Sequence, residues 1–402
     1  MYEDLAIIAA FVFFYSLSSG GLEKTLFSGA IIYTAFGFLL GPLGLGLLNL
    51  SVGTEGLRVL AELSLALILF SDAANANLRE LKSSFRIPQK LLLIGLPLTI
   101  ALGFGAGVLL FDGLGFLEIA IIATMLAPTD AALGKAVVTN PAVPSNIREG
   151  LNVESGLNDG ICVPILLIFL ALATHTGTDG GTTTLATRLL AEAIGIGVAV
   201  GVGFTYIGGQ LLKRAAERGW LSETWRQLPV PALAVACFSA AQALGGSGFI
   251  ACFVAGMLFG GLAEQRKHKL LLAAEGTGDT FALITWVVFG AVVVGHSIDA
   301  LSWQVFAYAL LSLTVIRMLP VFLVLTGRKL RTDEKLFIGW FGPRGLASIV
   351  FGLIVLEEHL PGGSTINVTV VCTILLSVIL HGMTANPLVA LLAKRIAYAK
   401  EA

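Results

Sequence analysis

The sequence is short of charge. Asp, Glu, Lys and Arg make up 13% of its 402 residues, against about 25% in soluble domains. That scarcity excludes an ordinary water-facing globular surface. Cysteine is also scarce. Cys162, Cys237, Cys252 and Cys372 all fall inside apolar stretches and follow neither a metal-ligand spacing nor a disulfide framework, so they read as packing residues. Neither charge sign dominates, and a formal net charge of -1 says nothing about partners. The opening Met1-Tyr2-Glu3-Asp4 lacks the basic region and small-residue cleavage site of a secretory signal, so the first apolar segment is expected to be retained. What the chain has in abundance is hydrophobicity, at 56% of residues. The expected class is an all-α polytopic membrane protein with no separate soluble domain.

Thirteen apolar segments are long enough, or nearly so, to cross a bilayer. Their approximate limits are 4–19, 26–47, 56–73, 90–111, 116–138, 147–174, 186–212, 229–244, 247–262, 269–295, 300–326, 335–357 and 364–393. Most lysines and arginines lie on one set of alternating loops and at the C-terminal end, while Arg58 and Arg188 sit on the other side at segment edges. This bias places the N-terminus outside and the C-terminus in the cytoplasm. Thirteen segments divide as six, one linker and six, so the two halves begin on opposite sides and form inverted repeats. The fifth segment is interrupted at Pro128-Thr129-Asp130 and the twelfth at Gly342-Pro343-Arg344-Gly345. Proline removes a backbone donor and clashes with the preceding turn. Discontinuous helices at corresponding positions of two repeats, here expected to cross, point to a transport site. Asp130 would offset positive helix N-terminal ends there, and Arg344 negative C-terminal ends.

The stretch 151–160 reads Leu-Asn-Val-Glu-Ser-Gly-Leu-Asn-Asp-Gly and runs straight into apolar sequence. Ionisable groups in such a span are expensive and mark function. Residues four apart share a helix face, so Ser155 projects with Asp159, and Glu154 with Asn158 on the adjacent stripe. Asp159 and Asp130, at membrane depth beside unwound backbone, read as a cation site. A structural role for a single intramembrane acid is the plainer reading, and it weakens when two acids flank helix breaks. Asn158 is expected to bond backbone freed by those breaks, and Arg344 to act as a fixed counter-charge. Glu62, inside the third segment, either faces a cavity or marks a later start to that helix. The five histidines fall near segment ends or loops and read as solvated rather than as pH sensors.

Three motifs, taken jointly and in this order, carry a resemblance. They are Thr129-Asp130 at the fifth-segment break, Glu154-Ser-Gly-Leu-Asn158-Asp159, and Phe341-Gly-Pro-Arg344-Gly-Leu-Ala-Ser348. The chain resembles the monovalent cation:proton antiporters, specifically their electroneutral sodium/proton exchanger branch. The resemblance implies a homodimer in the cell membrane. It also implies an interface domain over 1–85 and 186–295, a mobile ion-transporting core over 86–185 and 296–402, and no cofactor. By the same resemblance Asp159 is the ion-binding carboxylate, helped by Asp130, Ser155 and the Thr129 main chain. Asp72 matches an acid near the cytoplasmic end of the third segment, and Glu154 pairs with Arg317 in the eleventh. Two departures stand out: Ala131 where many relatives carry proline, and Asp72 where several carry glutamate. The implied activity is exchange of Na+ or Li+ for H+, one for one. A K+/H+ antiporter would use the same scaffold. An intramembrane aspartyl protease also needs two aspartates, but its usual Gly-x-Gly-Asp is here Gly156-Leu157-Asn158-Asp159. A channel fits less well, since a continuous filter has no need of mutually exclusive titration.

Overall fold

The computed structural model describes residues 2–22, 25, 27–50, 54–75, 86–130, 133, 135–138, 140–174, 182–263, 267–297, 300–327 and 330–401. Among these residues the regular structure is entirely helical. The helices are α1 (Tyr2–Leu22), α2 (Gly29–Leu40), α3 (Thr54–Asn75), α4 (Arg86–Leu110), α5 (Phe116–Met125), α6 (Lys135–Val138), α7 (Ser145–Thr174) and α8 (Thr182–Glu217). They continue with α9 (Pro229–Ala243), α10 (Gly248–Leu262), α11 (Lys267–Val288), α12 (Trp303–Leu313), α13 (Val315–Leu325), α14 (Thr332–Trp340), α15 (Leu346–Glu357) and α16 (Gly363–Glu401). A π turn over Leu91–Gly95 lies within α4, and another over Phe289–Val293 extends α11. By length and composition, seven helices among the described residues can cross a membrane, and α2, α5, α10 and α15 are shorter apolar helices.

Each of the thirteen apolar segments is helical over most of its described residues. The fifth segment comprises α5, non-helical residues 126–130 and the short α6, and the twelfth comprises α14, a non-helical stretch over 341–345 and α15. The eleventh differs from the continuous helix its apolar run predicts. It bends at Thr314, whose φ of -113° and ψ of -94° end α12 and start α13. The carbonyl of Ser312, just before the bend, accepts instead from the Arg344 side chain, at 3.2 Å. The boundary between the eighth and ninth segments is made by Gly245, whose φ of +77° only glycine adopts readily. Ser247 then caps α10.

By contact the chain divides into two compact units, Met1–Arg58 with Ser84–Asn158 and Leu283–Ala402, and Val59–Ser83 with Asp159–Ala282. Each is held by helices that approach until backbones touch. In the first unit, a Cβ added to Gly37 of α2 would lie 2.0 Å from the Val287 carbonyl oxygen, and one on Gly290 would lie 2.2 Å from that of Thr34. In the second, a Cβ on Gly256 or Gly260 of α10 would lie 2.2 Å from the Phe70 carbonyl oxygen or 2.3 Å from that of Ala74. Small residues spaced four apart permit this close approach. The first contact joins the second and tenth segments, and the other joins the ninth and third. Those pairs exchange under a repeat of seven segments, as two inverted halves require.

Candidate ion site at two crossed helix breaks

Two helices stop inside the first unit, at Met125 and Trp340. Pro128 and Pro343 each deny their chain a helical donor, and the two interruptions supply one another instead. The Asp130 amide donates to the Pro343 carbonyl at 2.8 Å. Asp130 Oδ2 accepts from the Leu346 amide at 2.9 Å, placing a carboxylate on an orphan donor at the start of α15. Gly345 makes this possible, because a Cβ there would come within 1.9 Å of that oxygen. Arg344 answers at the other polarity. It is wholly buried, and its Nε donates to the Leu126 carbonyl at 2.6 Å, at the end of α5. Its Nη2 donates to the Ser312 carbonyl at 3.2 Å, and its Nη1 to that of Gly342. Ser348 Oγ donates to the Met125 carbonyl at 2.9 Å.

Helix α7 passes beside this crossing. Ser155 Oγ donates to the Thr129 carbonyl at 2.6 Å, and Asn158 Nδ2 donates to Thr129 Oγ1 at 2.7 Å. Asn158 Oδ1 is buried without a hydrogen-bond partner among the described residues. A cleft lined by Thr129, Asp130, Val137, Val138, Leu151, Ser155, Phe341 and Pro343 opens between α6, α7 and the breaks. Asp159 lies one turn beyond Ser155 on α7, is 8% exposed, and belongs by contact to the second unit.

One stripe over, Glu154 meets Arg317 of α13 in a two-pronged ion pair, with Nη1 2.5 Å from Oε1 and Nη2 2.7 Å from Oε2. Both side chains are 2% exposed. Loss of either would strand a buried charge, at about 3–5 kcal/mol. Asp72 lies within the second unit on α3, partly exposed, one turn before Asn75, whose Nδ2 donates to Glu275 Oε1 at 2.7 Å. Glu62 is buried and α3 already spans it from Thr54, so the later helix start is set aside. Ala131 lies outside the described residues.

Sequence reasoning missed several groups. Glu118 accepts from the amides of Gly115 at 2.9 Å and Gly362 at 2.6 Å, joining the starts of α5 and α16. Its signal was a glutamate three residues after a helix-starting Gly115. His381 is 1% exposed, not solvated near a segment end, because α16 runs unbroken for 39 residues around it. Ser348 closed a motif of the resemblance without a role of its own, and Ser377 gave no signal, since a hydroxyl in an apolar helix normally bonds its own preceding turn.

The sequence model of the sodium/hydrogen exchanger family, transmembrane, matches residues 7–391. The chain belongs to the sodium/hydrogen exchanger family. It is 24% identical over 424 aligned positions to an Na(+)/H(+) antiporter of Schizosaccharomyces pombe, covering 96% of this chain and 90% of that one. It is 22% identical over 353 positions to the K(+)/H(+) antiporter NhaP2 of Shewanella baltica, covering 88% of this chain and 60% of that one. The chain therefore spans about 60% of the length of such potassium/proton antiporter relatives. In fold it is similar to the sodium proton antiporter MjNhaP1 from Methanocaldococcus jannaschii at pH 8, with a TM-score of 0.76 at 20% identity, covering 94% of this chain and 98% of that one. The family and the fold are those of multi-pass membrane transporters, which sets the protease reading aside.

Proposed function

We propose that this exchanger-family chain carries a monovalent cation one way and a proton the other, at a site built on Asp159 with Asp130, Ser155 and the Thr129 main chain. The reading is carried by one observation. Two helices unwind where Asp130, Thr129 and Ser155 line a single cleft, and the helix that bears Ser155 presents Asp159 one turn on. Backbone that leaves its helix at membrane depth is tolerated only where protein or a watery cavity satisfies it. Deprotonated, Asp159 takes a dehydrated alkali cation, and neighbouring oxygens replace its water. Protonated, it releases that cation. The two ligands exclude each other, and if only loaded forms cross, alternating access exchanges them. Asn158, bonded to Thr129, supplies an amide where a second acid would add a charge, which suits one-for-one exchange without net charge.

Na+ or Li+ is the proposed cation, with the sodium proton antiporters among the similar proteins as support. K+ is the second reading, favoured by the potassium/proton antiporters among the relatives. Asp130 has a mixed role, since one of its oxygens caps α15. Asp72 joins the ion path on the cytoplasmic side. The chain works as a homodimer in the cell membrane, through thirteen spans, with its N-terminus outside and its C-terminus in the cytoplasm. Segments 1–85 and 186–295 form the interface, and 86–185 with 296–402 the mobile core. No cofactor is required. The test uses sealed vesicles with an imposed pH gradient and sodium, lithium or potassium added in turn. Asp159→Asn should abolish cation-driven proton movement and still purify folded. Normal exchange by that variant would overturn the assignment, and the cation series decides between sodium and potassium.

A further inference from the structure

The second half contains a counterpart of the Ser155–Asp159 pair that the proposed cycle leaves unused. Aligning Pro128 with Pro343 sets Thr129 opposite Arg344. Ser155 of α7 bonds the main chain of Thr129. Ser377 of α16 bonds the main chain of Arg344, its Oγ accepting from the Arg344 amide at 2.7 Å. Four residues after Ser155 stands Asp159, and four residues after Ser377 stands His381. Each half thus places a serine on the opposed backbone and a titratable group one turn further along.

The second pair extends into a stripe. Ser377, His381 and Thr384 follow helical spacing along α16. Thr384 Oγ1 accepts from Trp340 Nε1 at 2.9 Å, and the Trp340 ring lies 5.1 Å from the imidazole centroid to centroid. Trp340 ends α14 and Arg344 closes the break, so the stripe grips the interruption on both sides with His381 in the middle. His381 Nδ1 is 3.2 Å from Ser377 Oγ and 3.0 Å from the Ser377 carbonyl. The carbonyl can only accept, so in the neutral ring Nδ1 carries the hydrogen, and Nε2, buried without a hydrogen-bond partner among the described residues, carries the lone pair. A second proton would enter at Nε2. Among the described residues, the charged groups acting on the ring are Arg344 and Arg317, both cations, with Glu154 already engaged by Arg317. Helix α2, which approaches at Gly382, carries no charged residue.

We propose that Ser377 and His381 are positioning residues for the ion site, holding the second break in register through the Arg344 main chain, and that they hold it only while His381 is uncharged. A proton on the ring sets a third cation beside two that are already buried and drives apart the groups that meet at the second break. This rests on the antiport reading, and its signature differs from competition at Asp159. Competition raises the apparent KM for the cation in acid and is overcome by saturating cation. Loss of the positioned break lowers the maximal rate and is not.

The test measures maximal exchange rate against pH at saturating sodium, in vesicles containing the full chain. For the parent protein the maximal rate should fall on the acid side by about tenfold per pH unit, the slope of one proton. His381→Asn, read relative to its own alkaline rate, should lose that limb and keep the acid rise in KM. Ser377→Ala should slow exchange at every pH, and Ser377→Thr should restore it. Superimposable acid limbs for the parent and His381→Asn would overturn the proposal. If the parent exchanges nothing, the antiport reading fails, and melting temperatures decide this one. Acidification should separate the parent from His381→Asn if the proton is resisted in the fold, and coincident melting curves across the histidine range would overturn it.

Discussion

The two helix breaks solve one problem with opposite chemistry. The first presents an acid, Asp130, to a helix start, and the second presents a base, Arg344, to a helix end. The acid accepts from the Leu346 amide across the crossing and lines a cleft. The base is wholly buried and spreads its donors over three carbonyls. A short carboxylate against one N-terminus stands at the cleft where the cation is proposed to bind. A long, forked guanidinium against several carbonyls is a strut, and its charge cannot be removed by titration. On the proposed function, the asymmetry assigns one break to exchange and its mirror to support.

The strut can be broken outright. Arg344→Met would leave the Leu126, Gly342 and Ser312 carbonyls without their donor, in a place that is wholly buried. Each unmet buried group costs about 1–3 kcal/mol, so most of the folded yield should disappear. Size-exclusion profiles and thermal unfolding in detergent check this. Arg344→Lys keeps the charge and loses the fork, so it should recover part of the stability. A fully stable Arg344→Met would mean that the two breaks do not differ in kind.

The acid side is tested more gently at Gly345. A methyl group there collides with Asp130 Oδ2, so Gly345→Ala should push the carboxylate off the start of α15 while Arg344 keeps its carbonyls. A displacement of about 1 Å at a reacting group costs on the order of 100-fold in rate, and exchange should fall by about that much with folded yield largely retained. Gly203→Ala, where an added Cβ meets nothing within 4 Å, is the control. Equal loss of yield from Gly345→Ala and Arg344→Met would erase the division between exchange and support.

Much of this contrast was legible in the sequence. Proline inside an apolar run announces a break, with glycines flanking the second one, and a lone acid or base there announces which helix end it faces. The bent eleventh segment was not legible, because apolar residues continue through Thr314 and its bend involves the Ser312 carbonyl, which accepts from a distant arginine. His381 was misplaced for a related reason. Its neighbours in sequence resemble a segment end, whereas its burial comes from α2, α14 and the second break, brought together only by the fold. The pairing of Glu154 with Arg317 came from resemblance alone, since residues 163 positions apart share no periodic signal.

The smallest effect asks whether charge or hydroxyl groups carry the crossing. Ser348 Oγ donates to the Met125 carbonyl, one residue before the carbonyl that Arg344 takes. It is a neutral bond in the same buried place, and a neutral bond contributes about 1 kcal/mol against roughly twice that for a charge-assisted one. Ser348→Ala should therefore lower the melting temperature by only about 1–2 °C and leave exchange rates within about twofold. The alanine fits the helix and removes nothing else. If Ser348→Ala instead unfolded the protein as far as Arg344→Met, the end of α5 would depend on the completeness of its hydrogen bonding. The opposite charges at the two breaks would then be incidental to how the helices cross.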